Sequence, residues 1–163
     1  MDNLTFTNWK SSAGTLYQAP IQFQYVKIPS CSGSASLGYV SALSSYTTSN
    51  TASFYSFTFT PYSSSSYIMF MATFDGDRNN NGAQEHYAMF IDGTPYASTY
   101  LYPRTSGTES CNYIMSGTYT NSDTNTRTFN IRGANGAGWT QYLGTGSSGQ
   151  IQSNNILIFE YPR

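Results

Sequence analysis

Apolar side chains in this chain recur at every second residue, in short runs, and no stretch carries the three-and-four spacing of an amphipathic helix. Leu4-Thr5-Phe6-Thr7 alternates, as do Ile21-Gln22-Phe23-Gln24-Tyr25 and Tyr55-Ser56-Phe57-Thr58-Phe59. Tyr67 to Phe74 is apolar on both faces, which predicts a central strand. His86–Ile91, Tyr96–Leu101, Tyr113–Tyr119, Thr126–Ile131, Trp139–Leu143 and Ile156–Tyr161 complete the set. Turn chemistry bounds these runs, at Thr60-Pro61, Asp75-Gly76, Asn81-Gly82, Asp92-Gly93, Asn135-Gly136 and Gly144. About ten short strands without crossover helices predict an all-β antiparallel sandwich or jelly roll. The Ser30–Ser36 and Ser63–Ser66 stretches lie close to strand patterns, so they are expected to be loops within one domain spanning 1–163. A globule of that size has room for a core without disulfide staples.

The surface of such a domain has to be built from hydroxyls, amides and tyrosine. Only 9% of the residues are charged and 17% are aromatic, against roughly 25% charge in an average soluble domain. Net charge is −1 and the basic residues are scattered from Lys10 to Arg163. No basic patch forms, so neither nucleic acid nor an anionic membrane is an expected partner. The run Tyr67–Ala72 is far too short for a membrane helix. Met1-Asp2-Asn3-Leu4 lacks the basic and apolar regions of a secretion signal, which points to synthesis in a cytoplasm. There Cys31 and Cys111 are expected as separate thiols rather than a disulfide.

No constellation of catalytic residues emerges from the sequence, and an enzyme is not expected. Asp75, Asp77, Asn79 and Asn81 have the alternating oxygen rhythm that opens a calcium loop. However, Asn80 stands where the loop glycine belongs and His86 where the bidentate glutamate belongs. A polar hairpin loop is the better reading, and neither a metal nor a cofactor is expected. His86, the single histidine, is the one possible base for a serine nucleophile, but no strand-to-helix elbow presents a serine to it. At a strand start it is expected on the surface or at an interface. Trp9 and Trp139, with the many tyrosines, could stack on a glycan. Packing in the core or against a neighbouring subunit is the favoured alternative for both.

Several segments, in order, resemble the small jelly-roll virion domains of tailed phages. They are Thr58-Phe59-Thr60-Pro61-Tyr62-Ser63-Ser64-Ser65-Ser66-Tyr67-Ile68-Met69-Phe70, then Tyr87-Ala88-Met89-Phe90-Ile91-Asp92-Gly93-Thr94, and finally Ser153-Asn154-Asn155-Ile156-Leu157-Ile158-Phe159-Glu160. The resemblance implies a jelly roll of the tumour-necrosis-factor and complement-globular-head type, usually a homotrimer. It implies a place in a virion, made in the host cytoplasm. Fifteen tyrosines and ten phenylalanines suit a trimer too, since aromatic residues and methionine are enriched at interfaces. In such trimers the terminal strand runs near the threefold axis, which makes Phe159 and Tyr161 interface candidates, with Trp139 and Trp9 beside them. With strand pattern running from Leu4 to Tyr161, neither a shaft nor a tail-attachment segment is expected. The expected role is therefore a capsid decoration or cement protein on the major capsid protein; the alternative is a fibre tip that binds a host receptor or glycan.

Overall fold

The computed structural model describes residues 9–10, 16–17, 20–37, 42–79, 84–101, 108–136, 140–143 and 154–163. The strands are β1 (Trp9–Lys10), β2 (Leu16–Tyr17), β3 (Gln22–Lys27), β4 (Cys31–Ser34), β5 (Ala52–Phe59) and β6 (Ser66–Asn79). They continue with β7 (Glu85–Ile91), β8 (Thr94–Leu101), β9 (Thr108–Asn121), β10 (Arg127–Asn135), β11 (Thr140–Leu143) and β12 (Asn155–Pro162). One short 3₁₀ turn, Leu43–Ser45, is the sole helical element among the described residues. All pairings are antiparallel.

Two sheets face each other. One has the order β5–β10–β7–β8, and the other places β12 between β3 and β6, with β9 on the far side of β6. Counting only these eight strands along the chain, the second sheet runs first–eighth–third–sixth. The other runs second–seventh–fourth–fifth. That winding is a jelly roll, the antiparallel architecture expected from the alternating runs. β6 is long enough to pair with β12 over Ser66–Thr73 and then with β11 over Gly76–Arg78, and β4 extends the sheet beyond β11.

Aromatic rings fill the space between the sheets in two groups. Phe129 of β10 is fully buried. Its ring lies 5.3 Å from Phe57, 6.4 Å from Phe59 and, across the sandwich, 6.1 Å from Phe70. Further along, Tyr87 stands 5.7 Å from Phe54, 5.2 Å from Phe74 and 4.7 Å from Tyr113. These separations are the offset and edge-on contacts that aromatic quadrupoles favour. Gly117 is required by the first group, because a Cβ there would stand 2.7 Å from the Phe70 ring.

Asp92 and Gly93 join β7 to β8 with positive φ at both positions, 49° and 83°. That is the two-residue turn whose twist matches a hairpin, and Asp-Gly is its usual sequence. Asp92 Oδ1 accepts from the Thr128 amide at 2.8 Å, and its Oδ2 pairs with Arg127 at 3.3 Å. Arg127 also reaches Asp123 at 2.6 Å and Asn121 at 3.1 Å, so one guanidinium ties this hairpin to the β9–β10 turn.

Three expectations are corrected. Asp75, Asp77 and Asn79 lie on β6, because β9 pairs with it as far as Asn79 opposite Thr108; the segment is strand where a hairpin loop was expected. The Ser/Gly stretch near Cys31 contains β4, a real strand paired with β11. His86 is buried, not at the surface. The run from Leu4 to Thr7 lies outside the described residues.

Candidate functional site

The outer faces of the two sheets are treated differently. On the β5–β10–β7–β8 sheet, the chain covers itself. Leu37, Leu43 and Tyr46 pack over Ala88 and Phe90 of β7. Arg132 of β10 fastens this strap: its Nε donates to Thr51 Oγ1 at 2.9 Å and its NH2 to the Thr48 carbonyl at 2.9 Å. The same guanidinium lies 5.6 Å over the Phe90 ring. Every residue of β7 is buried as a result.

His86 is the polar contact beneath the strap. The Tyr46 hydroxyl lies 3.0 Å from its Nδ1, and the Tyr100 ring of neighbouring β8 stands 6.2 Å away, while Ala134 is its partner on β10. Burial lowers its pKa from the ordinary value of 6.5. The sign of the consequence follows. Between the depressed folded value and 6.5 the unfolded chain binds a proton that the folded chain refuses, so stability falls as pH falls through that window. We expect the melting temperature to drop on acidification from pH 7 toward 5, and His86→Gln to flatten that slope. An unchanged slope in the variant would assign the effect to other groups.

The outer face of the opposite sheet is bare among the described residues, and it is apolar. The register lines up its side chains in rows across the strands. Tyr25, Leu157 and Met71 form one row with Ser116 at its β9 end; Phe23, Phe159 and Met69 form the next, with Thr118. Tyr161 and Tyr67 follow beside Thr120, with Ile21 at the mouth of β3. Tyr25 is 56% exposed, Ile21 42%, Met71 41%, Tyr67 40%, and Phe23 and Met69 37% each. Phe159 lies at the centre, its ring 5.1 Å from Phe23 and 6.3 Å from Tyr161. Arg163 stacks 5.9 Å over Tyr67 at one border, and exposed Lys27 marks the other.

Contiguous exposed apolar surface is a general feature of packing interfaces. Two of the four interface candidates named from sequence, Phe159 and Tyr161, are on this face. Trp139 lies outside the described residues, and of Trp9 only the backbone in β1 is described. Sequence reasoning did not single out Phe23, Tyr25, Met69 and Met71; the doubly apolar run at Tyr67–Phe74 was the signal for the two methionines, and the alternation at Ile21–Tyr25 put Phe23 and Tyr25 on one face.

The acidic candidates do not form a calcium loop. On a strand, alternate residues stand roughly 6.5–7 Å apart along one face and cannot wrap an ion as a loop does. Buried Asp75 accepts instead from Asn112 Nδ2 at 3.1 Å, and its amide donates to Asn154 Oδ1 at 2.6 Å. Asn81 lies outside the described residues. Cys31 is a free thiol whose pKa burial pushes up to about 11. It falls in one row with Leu143, Gly76 and Cys111. Three strand spacings separate the two cysteines, about 14 Å, too far for a disulfide.

These features define a jelly-roll sandwich in which the outer face of β7 is covered by its own chain, whereas the outer face of the opposite sheet is bare among the described residues. No protein-family model matches the chain, and no curated protein matches its sequence. Among solved structures it is similar to a chain of the infectious bursal disease virus Gt strain, at 10% identity and a TM-score of 0.31, over 99% of this chain and 41% of that one. The corresponding figures for the Gx strain are 10%, 0.29, 98% and 41%. The chain therefore spans about two-fifths of the viral chains it matches. An overlay that loose fixes no fold, and the jelly-roll assignment rests on strand order alone.

Proposed function

We propose that this chain is a virion structural protein, a jelly-roll module that sits as a homotrimer on a capsid shell and stabilises it. Its work is packing, not catalysis. The observation that carries the reading is the neutral, apolar outer face of the β3–β12–β6–β9 sheet, centred on Phe159. Such a face holds by burial, independently of salt and without steering charge. The segments that resemble phage virion domains cover the end of β5 with the start of β6, β7 from Tyr87 with its Asp92-Gly93 turn, and β12 as far as Glu160. Their order and spacing along the chain support the same reading.

A cement protein adds stability to a shell by binding only its assembled form. Reconstruction of the particle is therefore expected to place trimeric density for this chain at symmetric points of the head, against the major capsid protein. Particles lacking the protein should lose heat tolerance while host adsorption stays normal. Density on the tail, together with free protein that competes with particles for host cells, would overturn the proposal in favour of a fibre tip binding a receptor or glycan.

A further inference from the structure

We infer that residues 42–51 form an acid-released strap: protonation of His86 lifts the Tyr46 end of this segment from β7 while the two sheets stay folded. The switch goes beyond the virion reading and does not rest on it.

The strap is fastened unequally at its two ends. Its 3₁₀ turn sends the Ser45 amide to the Ala42 carbonyl and the Tyr46 amide to the Leu43 carbonyl. Asn50 closes the next turn: its Oδ1 accepts from the Thr47 amide at 2.8 Å, and its Nδ2 donates to the Ser45 carbonyl at 2.9 Å. Beyond that turn, Arg132 holds the Thr48 and Thr51 carbonyls and the Thr51 hydroxyl, and the chain runs on into β5. The polar tie of the Tyr46 end is to His86, with Ser98 of β8 beside the same hydroxyl. The rest of its hold is the packing of Leu43 and Tyr46 on Ala88 and Phe90.

The place beneath Tyr46 admits His86 only as a neutral ring. The side chain is fully buried, and its Nε2 has no hydrogen-bond partner. Facing it are Tyr46 of the strap, Tyr100 and Ser98 of β8, Ala134 of β10, and Gln84 and Ala88 along β7. Arg132 follows on the same face of β10, opposite Ala88. No carboxylate is among them. Glu85 points to the other side of its strand, where it accepts from the Tyr113 hydroxyl at 2.6 Å. An imidazolium in this place would be a buried charge with an unmet donor and a second cation nearby, and charges stay buried only when paired. Burial accordingly lowers the His86 pKa.

Of the elements around His86, the strap is the one that can yield. β7 is held along both edges, by β8 and β10. Residues 42–51 contain no strand, and a lone 3₁₀ turn has little stability once it leaves the surface that supports it. Moving Tyr46 aside brings the ring to water without breaking a ladder. The open form binds the proton that the closed form refuses. From 6.5 down to the depressed value, the ratio of open to closed strap therefore rises about tenfold per pH unit.

Hydrogen–deuterium exchange of the intact protein, read by mass spectrometry at about pH 7 and about pH 5.5, tests the switch. With rates corrected for the intrinsic effect of pH, the peptide containing Ser45 and Tyr46 should lose about tenfold in protection at the lower pH, while β6 and β10 keep theirs. His86 is the single histidine, so its imidazole resonance should titrate over the same range as that loss. His86→Gln puts a neutral side chain in its place and should leave the strap equally protected at both pH values. Unchanged protection of the wild-type strap would overturn the inference. So would protection lost together with β6 and β10, or lost to the same extent in His86→Gln. If that variant fails to fold, wild-type protein decides: the imidazole titration and the strap exchange must coincide, and their separation would overturn the switch.

Discussion

Phe129→Ala is expected to destabilise the protein by about 3–5 kcal/mol, the cost of truncating a fully buried phenylalanine whose cavity cannot collapse. Phe129 is the ring that joins the two sheets, touching Phe57 and Phe59 on its own side and Phe70 on the other. Its neighbours are strands paired along both edges, since β10 lies between β5 and β7 and β6 between β12 and β9. Neither strand can move inward without breaking its ladder, so most of the cavity should persist. For a chain of this length the melting temperature should fall by roughly 10 °C. Thermal and urea unfolding check the value. Phe57→Ala, at a partly exposed position of the same cluster, should cost clearly less. Equal losses at the two sites would show that the centre of the core lies elsewhere.

Glu160→Ala is expected to cost about 3 kcal/mol, because it strands two backbone donors that have lost their acceptor. Glu160 is fully buried near the end of β12. Its two oxygens accept from the Tyr62 amide at 2.8 Å and the Ser63 amide at 2.9 Å, which pins the β5–β6 connection to the terminal strand. Glu160→Gln keeps one acceptor oxygen and should retain part of the stability. Urea denaturation of both variants provides the measurement. A loss within about 0.5 kcal/mol for the alanine variant, the range of an ordinary surface change, would show that the connection is held by its serines instead. The contact also gives a physical reason for a glutamate in the closing strand pattern, where the alternation alone predicts only an inward-facing residue.

The sequence carried the secondary structure well where side chains alternate. β3, β5 and β12 were legible as period-2 runs, and Asp92-Gly93 as the turn between β7 and β8. Legibility failed where pairing overrode local chemistry. Asp75-Gly76-Asp77 reads as a turn, yet fourteen consecutive residues of β9 hold β6 extended through it. The serine- and glycine-rich β4 has little strand propensity and exists because β11 pairs with it. His86 was misplaced for a related reason: its burial comes from a strap more than thirty residues upstream in the chain, and nothing local encodes that contact.

By itself, the sequence determined the all-β class, the scarcity of surface charge and the presence of apolar side chains on both faces of the central strands. Those properties are written in residue type and two-residue period, which act locally. Which face remains open was decided only in the tertiary structure. Met69 and Phe90 look alike as residues in doubly apolar runs, but Phe90 lies under Tyr46 and its neighbours, while Met69 faces outward from a sheet that is bare among the described residues. That distinction depends on where the β4–β5 connection folds back, a long-range contact set by the jelly-roll winding. The same winding gathers Phe23, Met69 and Phe159, scattered along the chain, into one row.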